Sequence, residues 1–167
     1  MQTFKDPASE WGKLFERLDS HFLERHSRIL AESYRRWTGK SLLEGEPTAE
    51  ALFHAPFALL SHGTEADPLF NYANAHALAL FGMTWEDLIG LPSRYSAEPM
   101  LREAREALLA RVAAQGYVDD YSGVRIARDG RRFMIRNATV WNLLDARGAH
   151  YGQAAMIAEH LPMTAFM

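Results

Sequence analysis

The stretch Pro68–Gly90, PLFNYANAHALALFGMTWEDLIG, decides the fold because it contains a strand, two helices and the signals that separate them. Its first residues, up to Ala73, are short and aromatic, which is typical of a strand. Asn74 stands where a helix N-cap is expected, ahead of an apolar run that ends at a glycine. Thr84 with Asp87 three residues later is a variant of the capping box. The stretch predicts a strand that passes directly into two short helices.

The residues before this stretch predict one more strand and a mainly helical N-terminus. PFALLS, at 56–61, is short and apolar and suits a strand paired with the one that begins at Leu69. Apolar residues recur at helical spacing from Trp11 to Trp37, which predicts one long helix or two helices joined near Asp19. Thr48 is expected to cap a short helix just before the first strand.

After Gly90 the chain predicts a longer helix followed by a meander. A loop at 92–96 leads into a helix over 97–115, and the hydrophobic period then changes from 3.6 to 2. The extended segments are 121–127, 132–144 and 151–158. Asp129-Gly130 predicts a type I′ turn between the first two of them, with positive φ at both residues, and 145–148 forms the second turn.

These elements predict an α+β fold with a five-stranded antiparallel sheet and short helices inserted between strands two and three. Segment 132–144 has apolar side chains on both faces, so both faces of the sheet need cover. The inserted helices can cover one face. The N-terminal helical extension, residues 1–41, can cover the other face or contact a dimer partner.

Composition and charge exclude several functions. The net charge is −3, with 18 basic residues interleaved among 21 acidic ones, so no surface for nucleic acid is expected. The absence of cysteine excludes disulfides, thiolate metal sites, cysteine nucleophiles and a flavin–cysteine photoadduct. No apolar run is long enough for a signal peptide or a membrane span. We expect a soluble, cytoplasmic protein with no membrane partner.

The order of elements resembles a PAS domain, and several phrases narrow the resemblance. SHGTEADPLFNYAN, SRYSAEP, GYVDDYSGVRIARDGRRFMIRNATVWNL and YGQAA occur in the order typical of the MEKHLA domain, a PAS-related family. We identify 42–167 as this PAS-like domain. The resemblance implies a fold and a general function, either sensing or regulated association. It does not imply a defined biochemical activity.

The resemblance also implies a ligand cleft between the concave face of the sheet and the helix after Ser96. The family phrases carry over six candidate contacts, and Asn137 is added because it is a polar side chain within an apolar strand segment. The candidate ligand-binding residues are His62, Tyr72, Arg94, Arg125, Asn137, Trp141 and Gln153.

Structural roles are the alternative for these residues and for others in the same phrases. Polar groups within strands, such as Asn71 and Thr139, can be satisfied by internal hydrogen bonds that fix strand register. Arg94 precedes a helix N-terminus, where an anion is favoured, but it can equally pair with Glu98 or another surface carboxylate. Gly123 is expected to let two chains pass closely.

No cofactor or metal is indicated. None of the seven histidines forms a metal-binding pair, and the long helix that usually carries the proximal ligand in haem-binding relatives has no histidine. His76 and His62 are the least unfavourable haem ligands. PAS-like clefts accept haem, flavins and other small molecules, so the cofactor stays unknown.

The sequence favours a sensory module that binds a small organic ligand and signals through protein association, as a homodimer and through a separate output protein. The alternative is a ligand-free interaction or dimerisation domain with a filled core. A minor alternative is an isomerase or hydratase with a small cone-shaped fold. No catalytic signature is present, so we expect no enzyme activity.

Overall fold

The computed structural model describes residues 10–97 and 99–163. The helices are α1 (Glu10–Arg17), α2 (Ser20–Thr38), α3 (Ala49–Phe53), α4 (Ala75–Phe81), α5 (Trp85–Leu88) and α6 (Pro99–Gln115), with a 3₁₀ helix at Ser93–Ser96. The strands are β1 (Ala58–His62), β2 (Phe70–Ala73), β3 (Tyr117–Ile126), β4 (Arg132–Leu144), β5 (His150–Ile157) and β6 (Glu159–Pro162). The helices α4 to α6 lie between β2 and β3 along the chain, which confirms the predicted insertion.

The strands form one antiparallel sheet in the order β2-β1-β5-β4-β3. The sixth strand, which the sequence did not predict, pairs with the N-terminal half of β4 from Phe133 to Arg136. Because Thr139 of β4 already pairs with Met156 of β5, β6 continues the line of β5 after a break at Ala158. The sheet therefore has five strand positions, and the middle one is occupied by β5 and β6 in series.

Side-chain caps set the helix boundaries. The carboxylate of Asp19 accepts a hydrogen bond of 3.0 Å from the amide of His21, so the N-terminal segment is two helices rather than one. Thr84 accepts a hydrogen bond of 3.1 Å from the amide of Asp87, as the capping-box variant predicts. Glycines in the left-handed region end α2 at Gly39 and α4 at Gly82.

The turn between β3 and β4 differs from the prediction. Gly130 has a φ of +89°, but Asp129 is not in the positive-φ region that a type I′ turn requires. The amide of Gly130 donates to the carbonyl of Ala127 at 3.0 Å, and the side chain of Asp129 accepts from the amide of Arg131 at 2.9 Å. The loop is one residue longer than a two-residue turn, and only its glycine needs the left-handed conformation.

Both faces of the sheet are covered. On one face α2 packs against β4 and β5, and the cluster there includes Leu30, Tyr34, Trp141 and Leu143. On the other face, Leu108 and Val112 of α6 pack against the C-terminal half of β4. The remaining part of that face, beside α4, is filled by an apolar cluster that includes Phe81 and Phe133. The C-terminal half of β4, 138–143, is consequently buried on both sides, as its apolar pattern predicted, whereas Arg136 and Asn137 are exposed.

Candidate functional site

A small cavity lies between the concave face of the sheet and α6. Its volume is about 70 Å³. The apolar part of the wall comes from α4, α6 and four of the strands, and includes Leu60, Phe70, Phe81, Leu108, Ile135, Ala138, Val140 and Ile157. The polar part includes His62, Ser96, Arg105, Tyr121, Arg125 and Gln153. The predicted cleft is present, and its wall combines apolar and polar side chains.

Two guanidinium groups face this cavity. Arg105 of α6 is 7% exposed and Arg125 of β3 is 9% exposed. Arg105 donates to the hydroxyl of Ser93, and Arg125 donates to the carbonyl of Val124 at 3.1 Å. Within residues 10–97 and 99–163 neither forms an ion pair with a carboxylate. Burial, followed by the positive charge of Arg125, lowers the pKa of Arg105 to about 10.

Two hydrogen-bond acceptors lie beside each other on the same wall. His62 of β1 and Gln153 of β5 are directly paired across the strands, so their side chains share a face. His62 donates through Nδ1 to the carbonyl of Gly63 at 3.0 Å, which leaves Nε2 as an acceptor. Both Nε2 of His62 and Oε1 of Gln153 are buried without a hydrogen-bond partner among the described residues. Burial lowers the pKa of His62 and favours this neutral form.

The orientation of the Gln153 amide is fixed by its neighbour. Asn142 donates through Nδ2 to the carbonyl of Val112 at 3.0 Å, so its Oδ1 points toward β5. Gln153 donates through Nε2 to this Oδ1 at 3.0 Å. Reversing the amide of Gln153 would bring two oxygens together. Its Oε1 therefore faces the cavity as an acceptor.

Tyr121 forms a further part of the wall, and Gly123 makes room for it. The guanidinium of Arg125 lies over the Tyr121 ring, 5.1 Å from its centre. A Cβ at Gly123 would lie 2.5 Å from the hydroxyl oxygen of Tyr121. The absence of a side chain at Gly123 therefore makes room for the Tyr121 ring of the same strand. The sequence had suggested a different role, the close approach of two chain segments.

Three of the seven candidate residues, His62, Arg125 and Gln153, line the cavity, whereas Tyr72 and Trp141 lie on the opposite face of the sheet. Trp141 is fully buried against α2 and donates to the carbonyl of Leu30 at 3.3 Å. Tyr72 is also fully buried, its hydroxyl has no partner among the described residues, and burial raises its pKa. Both residues fill the core beneath α2.

Arg94 and Asn137 lie outside the cavity. Arg94 forms an ion pair of 3.1 Å with Asp67. It therefore pairs with a surface carboxylate, which was the structural alternative to anion binding. Asn137 is exposed, with a φ of +50° and its amide 3.3 Å from the hydroxyl of Ser122. It lies on β4 opposite the break between β5 and β6. Asparagine tolerates a positive φ better than most residues, so this backbone conformation explains why an asparagine stands at this position.

Hydrogen bonds connect the strand that carries His62 to α2. The preceding residue, Ser61, points to the opposite face, as alternation along a strand requires. Ser61 donates to Oδ1 of Asn71 at 2.6 Å, so it accepts from Nε2 of the fully buried His26 at 2.8 Å. The Nδ1 of His26 then accepts from the hydroxyl of Tyr151 at 3.3 Å. The side-chain oxygen of Asn71 is thus paired within the protein.

A second connection runs through Asn142. Its side chain bonds to Gln153 in the cavity wall, and its carbonyl accepts from the indole of Trp37 at the end of α2 at 2.9 Å. The cavity is consequently joined to α2 at two positions, at His26 in the N-terminal half of that helix and at Trp37 near its C-terminal end.

Within the described residues, no group of three or more His, Asp or Glu side chains could hold a metal ion. Over the same ranges, no helix is long and apolar enough to cross a membrane.

A helix-covered antiparallel sheet around such a cavity defines a PAS-like domain, and solved structures share this architecture. The PAS domain of a protein from Colwellia psychrerythraea is 18% identical, with a TM-score of 0.56 over 70% of this chain and 93% of that one. The light-state dimer of the fungal blue-light photoreceptor Vivid is 14% identical, with a TM-score of 0.55 over 77% and 90%. A light-oxygen-voltage domain studied with a flavin analogue is 17% identical, with a TM-score of 0.53 over 71% and 85%.

The sequence profile described as MEKHLA domain matches residues 24–161. The chain belongs to the MEKHLA domain family. The match begins inside α2, so the family's domain includes most of the helix that covers the second face of the sheet. None of the curated proteins compared with this chain matches it.

Proposed function

We propose that this protein is a non-catalytic sensory module in which the cavity beneath α6 binds a small organic molecule. One observation carries the proposal: the cavity wall contains two buried guanidinium groups without carboxylate partners in the described residues and two buried acceptors without donors. Buried polar groups are nearly always satisfied, and leaving them unpaired costs free energy. A bound molecule would supply the missing partners.

Ligand occupancy would reach the outside of the protein through α2. A molecule bonded to His62 would displace the end of β1, and Ser61 would transmit that displacement to His26 of α2. A molecule bonded to Gln153 would act on Trp37 through Asn142. We propose that the exposed side of α2 contacts a second copy or a separate output protein. The light-state dimer among the similar structures is an example of association by such a fold.

The competing function is a ligand-free docking domain, which the small size of the cavity favours. About 70 Å³ is roughly half of an engineered cavity that accommodates benzene. The cone-shaped enzyme alternative loses its basis, because the sheet order and the similar structures are PAS-like. A cytoplasmic location stays a prediction of the sequence.

Native mass spectrometry of the protein purified from its own host tests the proposal. We expect a mass increment at one molecule per chain that disappears on denaturation, and an identifiable small molecule in the released fraction. Arg125→Gln should lose the increment, whereas Arg94→Gln removes an equal charge outside the cavity and should retain it. A chain without any increment across several growth conditions would support the docking domain instead.

A further inference from the structure

The polar wall of the cavity contains two different kinds of group that can bind a ligand. On the side of α6 and β3, Arg105 and Arg125 offer N–H donors that carry positive charge. On the side of β1 and β5, Nε2 of His62 and Oε1 of Gln153 offer lone pairs. A molecule with acceptors alone, such as a simple carboxylate, would satisfy only the first side.

We propose that the cavity binds a small hydroxycarboxylate, with its carboxylate on the two arginines and its hydroxyl donating to His62 or Gln153. This inference rests on the proposed function, since it names the ligand class of the same site. Carboxylate geometry matches guanidinium donors, and charge-assisted hydrogen bonds of this kind are the strong ones.

The donor on the ligand is a hydroxyl rather than an ammonium group because of the charge in the cavity. The positive charge of Arg125 is close enough to lower the pKa of Arg105, and two such charges together repel a further cation. A hydroxyl is neutral, and it can donate to either of the two adjacent acceptors. Most of the other lining residues are apolar, so a short carbon chain fits beside these groups.

The volume of about 70 Å³ limits the ligand to a few heavy atoms. Glycolate and lactate are suitable probes because each has matched analogues that lack one group. Acetate and propionate lack the hydroxyl, and glycolamide and lactamide lack the charge. Inorganic sulfate keeps the charge without carbon or a hydroxyl.

Isothermal titration calorimetry of the full chain with these probes tests the ligand class. We expect the better hydroxycarboxylate to bind about tenfold more tightly than its deoxy analogue, which corresponds to one hydrogen bond to a buried acceptor. The neutral amide should bind about a hundredfold more weakly, because it loses the charge-assisted bonds.

Substitutions in the cavity wall test which residues bind the carboxylate of the ligand and which bind its hydroxyl. Arg105→Gln and Arg125→Gln should each weaken both the hydroxycarboxylate and the deoxy analogue by about thirtyfold or more. Gln153→Leu together with His62→Phe should remove the advantage of the hydroxyl while deoxy binding is retained. Arg94→Gln and Asn137→Gly alter residues outside the cavity and should leave all affinities unchanged. Near-ultraviolet circular dichroism of each variant shows whether its core is intact.

The outcomes separate this inference from the proposed function. Equal binding of lactate and propionate, or binding of sulfate as tight as that of either, overturns the hydroxycarboxylate. Retention of a neutral or cationic molecule after purification, with no binding of the probes, overturns the ligand class but supports the sensory module. No retained molecule and no binding of any probe contradicts both.

Discussion

Asn74 shows how much of this fold depends on a single buried side chain. Its Oδ1 accepts from the amides of Ala77 and Leu59, both at 3.0 Å, and its Nδ2 donates to the carbonyls of Leu52 at 3.0 Å and Phe57 at 2.9 Å. It therefore caps α4 and also ties α4 to β1 and α3. The fully buried amide satisfies four backbone groups.

We expect Asn74→Ala to lower the free energy of unfolding by about 3 kcal/mol or more, because it leaves several buried backbone groups unpaired. Asn74→Asp should cost at least as much, since its carboxylate would face two carbonyl oxygens. Thr84→Ala removes an exposed cap from the next helix and should cost only about 1 kcal/mol. Urea denaturation of the three variants measures these differences, and equal costs for Asn74→Ala and Thr84→Ala would contradict the argument.

Arg105 is the cavity residue that the sequence reasoning missed, and a signal for it exists. It lies four residues after Leu101 and three before Leu108, so helical periodicity places it on the same face as these two leucines. A charge on a core-facing stripe indicates a buried, functional or paired group. Tyr72 and Trp141 were misplaced for a different reason: period-2 alternation assigns residues to faces, but it does not tell which helix covers each face.

At the scale of secondary-structure elements, Gly152 controls the pairing of β1 with β5. It has a φ of +153°, and a Cβ there would lie 2.2 Å from the carbonyl oxygen of His62. That oxygen belongs to backbone, so it cannot move aside without breaking the strand pair that holds His62 beside Gln153.

Gly152→Ala is consequently expected to destabilise the protein by about 3 kcal/mol and to speed amide hydrogen exchange along β1. Gly148→Ala is the matched control. Gly148 also has a positive φ, of +79°, but a Cβ there meets nothing within 4 Å. Its variant should lose about 1 kcal/mol from backbone strain alone. Comparable losses in the two variants would show that the contact with His62 is unimportant.

The attachment of α2 to the sheet should depend on pH through His26. Burial, with a smaller effect of Arg25, lowers the pKa of His26 from 6.5 to about 4 in the folded chain. Between these values the unfolded chain binds a proton that the folded chain does not, so stability falls as the pH falls from 6.5 to 4 and this contribution then levels off. The loss amounts to roughly 3 kcal/mol.

His26→Gln has no such proton to bind. The difference in unfolding free energy between the natural chain and His26→Gln should therefore shrink as the pH is lowered from 7 to 4, while the titration of other groups cancels in the comparison. Denaturant titrations at a series of pH values measure this difference. A difference independent of pH would mean that His26 is not held neutral beneath α2.

For the whole molecule, the architecture followed from the sequence because its signals agree with one another. Caps, glycine stops and the change from period 3.6 to period 2 each place a boundary without tertiary information. The sixth strand was not predictable in this way. Glu159–Pro162 contains a proline and too few alternating residues to show a period, and its pairing depends on the register that β5 already has with β4.

The position of α2 predicts that it is required for folding. One face of the sheet carries Trp141, Tyr72 and Leu143, all fully buried, and α2 provides much of their cover through residues such as Leu30 and Tyr34. The ring of Tyr34 lies edge-on to Trp141 at 5.0 Å. Removing the helix would expose this large apolar surface to water.

A chain that begins at Gly39 should therefore lack a cooperative thermal transition, or should aggregate when it is expressed. Glu24→Ala with Glu32→Ala is the matched control, because both side chains are exposed on α2 and the double variant should melt close to the natural chain. Far-ultraviolet circular dichroism during heating distinguishes the cases. If the shortened chain melted cooperatively and stayed monomeric, α2 would be a detachable arm, and the proposed route from the cavity through His26 and Trp37 would lose its structural basis.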